Sequence, residues 1–514
     1  MDTVTSLMTT PVVQADPDEP FHVVVRRMHD HRVGSVVVTS RGRVVGIVTE
    51  RDVLRVDALG PVAGDAGSEP DARAGDVMTA PADCLTPDAS PATALSTMRE
   101  RGYRHMPVAD GDDLVGIVSL RDLARVAHVG PPEVPRGLAG VVVTDTTVGD
   151  VRGAEGFYHY REYSAVDLAR TRPLEDVWQL MVDGRLPADE AERDRFRAEV
   201  RPLRGLPTVL ERVLPEVAGA GTVLDGLRTA LSVVGASEGM RPLLDIDAER
   251  RRADALRLAA VTPTVVAALH RLAGGLAPIA PRDDLGPGAD LLWMLSGEEP
   301  DPAIARALET YLITTIDHGF NASTFTARVV ASTGADVAAC VVAAVAALSG
   351  PLHGGAPSRA LDLLDRIGTP DRIDEVVGDV LARGDRLMGF GHAVYRTDDP
   401  RSVLLSAVAR DLAAGDPGSA DRVAFADRVE HRVIELLDVH RPGRQLRTNV
   451  EFYAGVLMEL CGVPRDMFTP AFASSRVIGW TANVLEQADD PKIIRPDARY
   501  VGPRPPRPVP DLAA

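Results

Sequence analysis

Apolar residues recur every three or four positions along most of this chain, and form short β-branched runs only near its start. Phe21, Val24, Val25 and Met28 fall at helical spacing. A run from Ser35 to Thr39, an Arg41-Gly42 turn and a second run ending in GIVT follow, which predicts a helix, a hairpin and then a short closing helix. The same order returns downstream, with Ala92, Leu95 and Met98 marking the helix. MTTPVV at Met8 is matched by MTAPAD at Met78, and GIVTERDVLRV at Gly46 by GIVSLRDLARV at Gly116, both 70 residues apart. A constant offset across two separated blocks marks a duplicated structural unit.

From Gly137 onward the helical period dominates. Between Asp421 and Asp438, for example, Val423, Ala426, Val429, Val433, Leu436 and Leu437 share one stripe. The longest apolar run, Val337 to Leu348, is too short to cross a bilayer and predicts a buried helix. Leu59 to Asp76 and the proline-bearing stretch Val129 to Arg136 read as linkers, and the tail PRPPRPVPDLAA as a frayed end. The expected organisation is a first repeat at 1–60, a second at 72–128, a linker at 129–136, a large helical region at 137–505 and a tail at 506–514.

Composition narrows the functional classes. Of 514 residues, 45% are hydrophobic and 25% charged, which excludes general disorder. The formal net charge of −18 argues against non-specific nucleic-acid binding, so an anionic substrate has to be met by local Arg and His clusters. Lys492 is the only lysine. The three cysteines, Cys84, Cys340 and Cys461, are far apart and form no CxxC, and the first residues lack a basic segment followed by an apolar core. A reduced cytoplasmic location, with no membrane partner, is expected.

Three of the twelve histidines lie beside glycine or proline: His318 in DHGFNASTFTAR, His353 in SGPLHGGAPSRAL and His392 in MGFGHAVYRTDDPRS. Tight turns of that kind let a ligand reach an imidazole, although each is equally readable as a helix-end or core histidine. Their spacing gives no metal-ligand pattern. Glu451, between Val450 and Phe452, is either a polar position on a buried helix or a partly desolvated base with a raised pKa. Histidines, arginines and one carboxylate without metal suit proton abstraction next to a carbonyl on an anionic substrate.

Two resemblances bear on these alternatives. Thr5 to Ala127, with its paired GIVTERD and GIVSLRD strings, resembles a tandem pair of CBS domains, a module that usually binds adenine nucleotides. From Gly137 to Pro503 the chain carries GLAGVVVTDTTVGDV, DVWQLMVDGRLP, GPLHGGA, MGFGH with VY and DPR, NV-x-FY, SR-x-x-GW and a final RP with Y-x-GP, in that order. This series resembles citrate synthase. The implied architecture is multidomain: an α+β CBS pair, then a mostly all-α fold whose large and small domains close over the substrates. The implied enzyme is an acyltransferase that condenses acetyl-CoA with oxaloacetate to give citrate and CoA. No cofactor is implied beyond the CoA thioester as substrate, and a homodimer or higher homo-oligomer is expected.

Through that resemblance, Glu451 would be the α-proton base. His353 would stabilise the enolate at the thioester oxygen, and His392 would polarise the keto oxygen and protonate the alkoxide. His318, Arg401, Arg476 and Arg495 would hold the two carboxylates, with the last arginine reaching in from a partner subunit. Arg396 would contact CoA phosphates. In the CBS pair, Thr49 and Asp52, with Ser119 and Asp122, would meet ribose and phosphate of AMP, ADP or ATP. The same Thr-x-x-Asp and Ser-x-x-Asp spacing is also close to a helix capping box.

One departure stands at the base itself. Citrate synthases mostly carry Asp where this chain has Glu451, and the extra methylene moves the carboxylate by about 1 Å, a displacement that can cost about a hundredfold. Ala393 and Asn483 also depart from common bacterial spellings, outside the catalytic positions. Two alternatives stay open: a 2-methylcitrate synthase using propionyl-CoA, and a nucleotide-sensing protein with a weakly active synthase scaffold.

Overall fold

The computed structural model describes the chain except residues 1–2, 60–71, 127–137, 139, 352, 354–355, 393, 396, 442, 444–445, 491, 499 and 504–514. The expected 129–136 linker and 506–514 tail lie outside the described residues, as does Arg396. The chain divides into two compact units, Met1–Val142 and Val143–Ala514.

The first unit is built from the predicted repeat. Strand β1 (Gln14–Ala15) precedes α1 (Phe21–His31), the hairpin β2 (Ser35–Ser40) and β3 (Arg43–Thr49), and α2 (Glu50–Leu59). Arg41 and Gly42 both take positive φ, the two-residue turn that matches the twist of a hairpin. After α3 (Ala74–Val77) come α4 (Pro91–Arg101), the hairpin β4 (His105–Asp110) and β5 (Asp113–Ser119), and α5 (Leu120–Val126). The helical turn α3 corrects the expectation of a linker running to Asp76. There Asp76 accepts from the Arg73 amide at 3.0 Å and turns the chain into a helix.

Sequence repeat and structural core do not coincide. Val4, from the lead segment of the first repeat, is buried with Leu85, Met98, Met106 and Val118 of the second. Ala74 and Val77, which lead the second repeat, are buried with Phe21, Val24, Met28 and Val36 of the first. Thr9 pairs with Ile117 and Thr79 with Ile47, so the exchange is symmetric. Gly46 and Gly116 make room for it: a Cβ there would stand 2.3 Å and 2.4 Å from the Sδ atoms of Met78 and Met8.

The second unit opens with a small antiparallel sheet, β6 (Gly149–Arg152), β7 (Phe157–Tyr160) and β8 (Tyr163–Ser164), and continues in helices α6 (Ala165–Thr171) through α21 (Phe468–Ala488). At its centre α11 (Ala248–Ala273) packs along α21. By length and composition α11 is apolar enough to cross a membrane, yet here Ala255 to Leu269 is almost wholly buried among other helices. The stripe read between Asp421 and Asp438 lies on α19 (Pro417–His440), with Val423, Ala426, Val429, Val433 and Leu437 buried. The apolar run forms α15 (Val337–Leu348).

The helices that position the site are α13 (Pro302–Thr314), α14 (Ala322–Ala331), α16 (Ala356–Ile367), α18 (Pro400–Ala413), α20 (Val450–Leu460) and α21. Asn321, Asp399 and Asn449 cap α14, α18 and α20 by accepting from first-turn amides. Gly479 of α21 lies directly against the backbone ahead of His318, where a Cβ would stand 2.0 Å from the Ile316 carbonyl oxygen. Gly479→Ala is therefore expected to lower stability by about 3 kcal/mol, because rigid backbone rather than a side-chain tip has to move. Urea unfolding checks this, and a midpoint equal to wild type refutes the close approach.

Candidate active site

The predicted site residues converge on one cavity of about 1020 Å³ in the second unit, lined by His318, His353, His392, Arg401, Glu451 and Arg476. Arg495 is exposed and does not line it in this chain. Each lining group but Arg476, which projects from the interior of α21, is delivered by a helix end or by a turn.

Asp399 organises one wall. It caps α18, forks Arg401 at 3.0 and 2.8 Å, and accepts from the Val450 amide at the start of α20 at 3.1 Å. The Arg401 and Asp399 side chains are 5% and 1% exposed, so the pair is dry. Glu451 follows Val450, and its amide donates to Asn449 Oδ1 at 3.0 Å. Loss of water raises the Glu451 pKa to about 7, with Arg401 opposing and Asp399 adding to the rise.

His392 leaves a segment in which Gly389 and Gly391 both take positive φ. That segment is laced to the residues before α20: the Gly391 amide donates to the Arg447 carbonyl, and the Asn449 amide to the Gly389 carbonyl. Nδ1 of His392 accepts from the amides of Val394 and Tyr395 at 3.0 and 3.1 Å. With Nδ1 occupied as an acceptor, a neutral ring carries its hydrogen on Nε2, the nitrogen 3.3 Å from Arg401 Nη2. Two donors face each other there, and an incoming carbonyl or carboxylate oxygen relieves both.

His353 places Nε2 2.8 Å from the Ser323 hydroxyl on α14, which also accepts from Trp480 Nε1 at 3.2 Å. Burial first, and Arg476 second, lower the His353 pKa to about 4, so the ring is neutral. His318 is held well below its ordinary value by burial, then by Arg401, His392 and Arg476. Arg476 is 2% exposed, donates through Nε to the Thr315 carbonyl at 2.7 Å and stacks over Phe472. Asp317, next to His318, is fully enclosed and raised to about 6 despite Arg476. Asn483 donates to it at 3.4 Å, which gives that departure from common spelling a structural place.

In the first unit, Asp52 accepts from both the amide and the hydroxyl of Thr49, at 2.9 and 2.8 Å. Asp122 does the same for Ser119, at 3.1 and 2.5 Å. The carboxylate half of a capping box is thus realised at both strand-to-helix junctions, and at the second the Asp122 amide also donates to the Ser119 hydroxyl at 3.2 Å. Among the described residues, no group of three or more His, Cys, Asp or Glu is placed to hold a metal ion.

Sequence reasoning passed over Asp399, Ser323, Tyr311 and Tyr395, and over Arg359, Arg386 and Arg441, which line the same cavity. An arginine-rich surface hid the three arginines, whereas Asp399 was legible as an N-cap ahead of Pro400. The string GASEG at Gly235 also spells a nucleophile-elbow pattern. Ser237, however, ends a helix and donates to the Val234 carbonyl, with no strand leading in.

Comparison with known proteins decides the lineage. The family profile described as "Citrate synthase, C-terminal domain" matches residues 137–497, and the CBS domain profile matches 4–59 and 74–129. The citrate synthase of Deinococcus radiodurans is 34% identical over 72% of this chain and 96% of its own. That of Synechocystis is 37% identical over 71% of this chain and 90% of its own. The chain belongs to the citrate synthase family. The crystal structure of citrate synthase from Pyrobaculum aerophilum superposes with a TM-score of 0.66 at 37% identity, covering 72% of this chain and 93% of that one. The citrate synthase of Thermoplasma acidophilum, solved with carboxymethyl coenzyme A and oxaloacetate, gives 0.67 at 27% identity over 72% and 97% of the two chains. The enzyme class is therefore an acyltransferase of the citrate synthase type, here carrying a CBS pair at its N-terminus.

For this citrate synthase relative, the wall built on Asp399 makes a sharp stability test. Asp399→Ala leaves Arg401 buried and unpaired and uncaps α18, so a loss of about 3–5 kcal/mol is expected in chemical denaturation. A loss below about 1 kcal/mol would show that the pair is not dry.

Proposed function

We propose that this chain condenses acetyl-CoA with oxaloacetate to give citrate and CoA, and that an adenine nucleotide on the CBS pair tunes the rate. The observation that carries the reading is the shared cavity: one carboxyl poised near neutrality, three imidazoles and two buried guanidiniums. Glu451 removes the methyl proton of the thioester. His353 donates to the thioester oxygen as negative charge builds there. The enol carbon attacks the keto carbon of oxaloacetate, whose oxygen receives a hydrogen bond and then a proton from Nε2 of His392; water then attacks the citryl thioester carbonyl, the C–S bond breaks, and citrate and CoA leave. Arg401, Arg476 and His318 hold the carboxylates. Arg495 completes the set from a partner subunit, so the active form is a homodimer or a larger assembly in the cytoplasm.

The lining supports a CoA-sized substrate, since the exposed Arg359, Arg386 and Arg441 offer positive charge to phosphates. The ligand pair in the Thermoplasma acidophilum structure, carboxymethyl coenzyme A and oxaloacetate, is of the same chemical class. The extra methylene of Glu451 is the one departure that falls on the proposed base itself. Its carboxyl remains in the cavity, at the N-terminus of α20, which favours the ionised base.

A steady-state assay with acetyl-CoA and propionyl-CoA, each with and without AMP, ADP and ATP, tests the reading. Preference for acetyl-CoA in kcat/KM is expected. A reversed preference assigns 2-methylcitrate synthesis instead. Removing Met1 to Val129 should abolish any nucleotide response, and unchanged kinetics after that deletion would falsify the regulatory part.

The pH profile follows from Glu451. Only the ionised carboxylate accepts a proton, so kcat/KM should rise with pH through about 7 and then level off. Glu451→Gln should lower kcat about a thousandfold while oxaloacetate still binds. A flat profile between pH 5 and 8 assigns the base elsewhere.

A further inference from the structure

Tyr395 has so far no role of its own, yet it touches two of the cavity's histidines. Its side chain is buried at 3% exposure. Its hydroxyl is 3.0 Å from Nε2 of His318, and its ring centroid is 4.7 Å from that of His392. Its backbone amide donates to Nδ1 of His392, and Arg401 Cζ lies 5.8 Å from its ring centre.

Counting hydrogens fixes the direction of the contact with His318. Burial raises the phenol's pKa, so Tyr395 keeps its proton. His318 is neutral and carries a single N–H. Were that hydrogen on Nε2, it would point at the phenol oxygen. The phenol hydrogen would then have no acceptor among the described residues, a costly state for a buried donor. With the phenol donating, Nε2 accepts and the ring hydrogen sits on Nδ1. A dicarboxylate offers acceptors only, so an N–H at Nδ1 attracts it, whereas a bare lone pair there repels it.

We propose that Tyr395 is a positioning residue that locks His318 in the Nδ1–H tautomer, so that the imidazole donates to a carboxylate of the keto-diacid. This rests on the reading of His318 as a substrate group. The device is economical in atoms: the amide of Tyr395 orders His392, its phenol orders His318, and a single backbone position registers the two rings.

The test is Tyr395→Phe in the full-length chain, which keeps the ring and the amide's hydrogen bond to His392 and deletes only the hydroxyl. Oxaloacetate binding without acyl-CoA is followed by calorimetry, and the KM of each substrate by steady-state assay. The ring tautomer is followed by ¹⁵N spectra of histidine-labelled protein, with His318→Gln assigning the signal. Oxaloacetate affinity is expected to weaken about tenfold with the acyl-CoA KM little changed, and the His318 signals to leave the Nδ1–H pattern. An unchanged His318 pattern overturns the proposal, as does a loss in oxaloacetate affinity below about fivefold. A parallel rise of both KM values also overturns it, by pointing to a general lesion. Wild-type protein that does not bind oxaloacetate refutes the reading of the site, while its ¹⁵N pattern still reports on the tautomer separately.

Discussion

A single carboxylate, Asp399, holds the site in register. It caps the start of α18, fixes the guanidinium of Arg401 and receives the amide that starts α20, where Glu451 stands. Each bond is worth little by itself in water, but the pair is dry, and a charge without its partner there is strongly unfavourable. The position of Glu451 relative to Arg401 is thus set by short bonds through one group rather than by distant packing. Glu451, with its added methylene, stands on an anchored helix end, which confines the extra freedom to the side chain itself.

Two backbone amides and a hydroxyl complete that order by engaging the rings of His392 and His353. Two amides fix Nδ1 of His392 as an acceptor. Ser323 engages Nε2 of His353, and Trp480 holds Ser323 in turn. Burial keeps His318 and His353 neutral, which makes them hydrogen-bond donors that add no charge of their own. Fixed positive charge comes from Arg401 and Arg476 instead, both almost fully enclosed. Neutral donors beside permanent cations suit a reaction in which negative charge moves from carbon to oxygen.

Much of this was legible in the residues, for identifiable reasons. Helical periodicity found α15 and α19 because each buries one coherent stripe. The 70-residue repeat found both hairpins because their turn and strand strings are duplicated. The motif order brought His318, His353, His392, Arg401, Glu451 and Arg476 to one cavity. What stayed hidden depends on pairing through space. No spacing rule links Asp399 to Val450 or Ser323 to His353, and the helical turn at Ala74–Val77 is stabilised by the core of the other repeat. Arg495 is exposed in the single chain, so only the resemblance gave it a place.

The exchanged lead segments of the first unit have a consequence for its mechanics. Since Met8 seats on Gly116 and Met78 on Gly46, neither repeat owns a complete interior. Either repeat taken alone would leave its own interior partly unfilled. In the fused chain, a displacement of either lead strand is felt first in the opposite half. The pair therefore yields as one mechanical element.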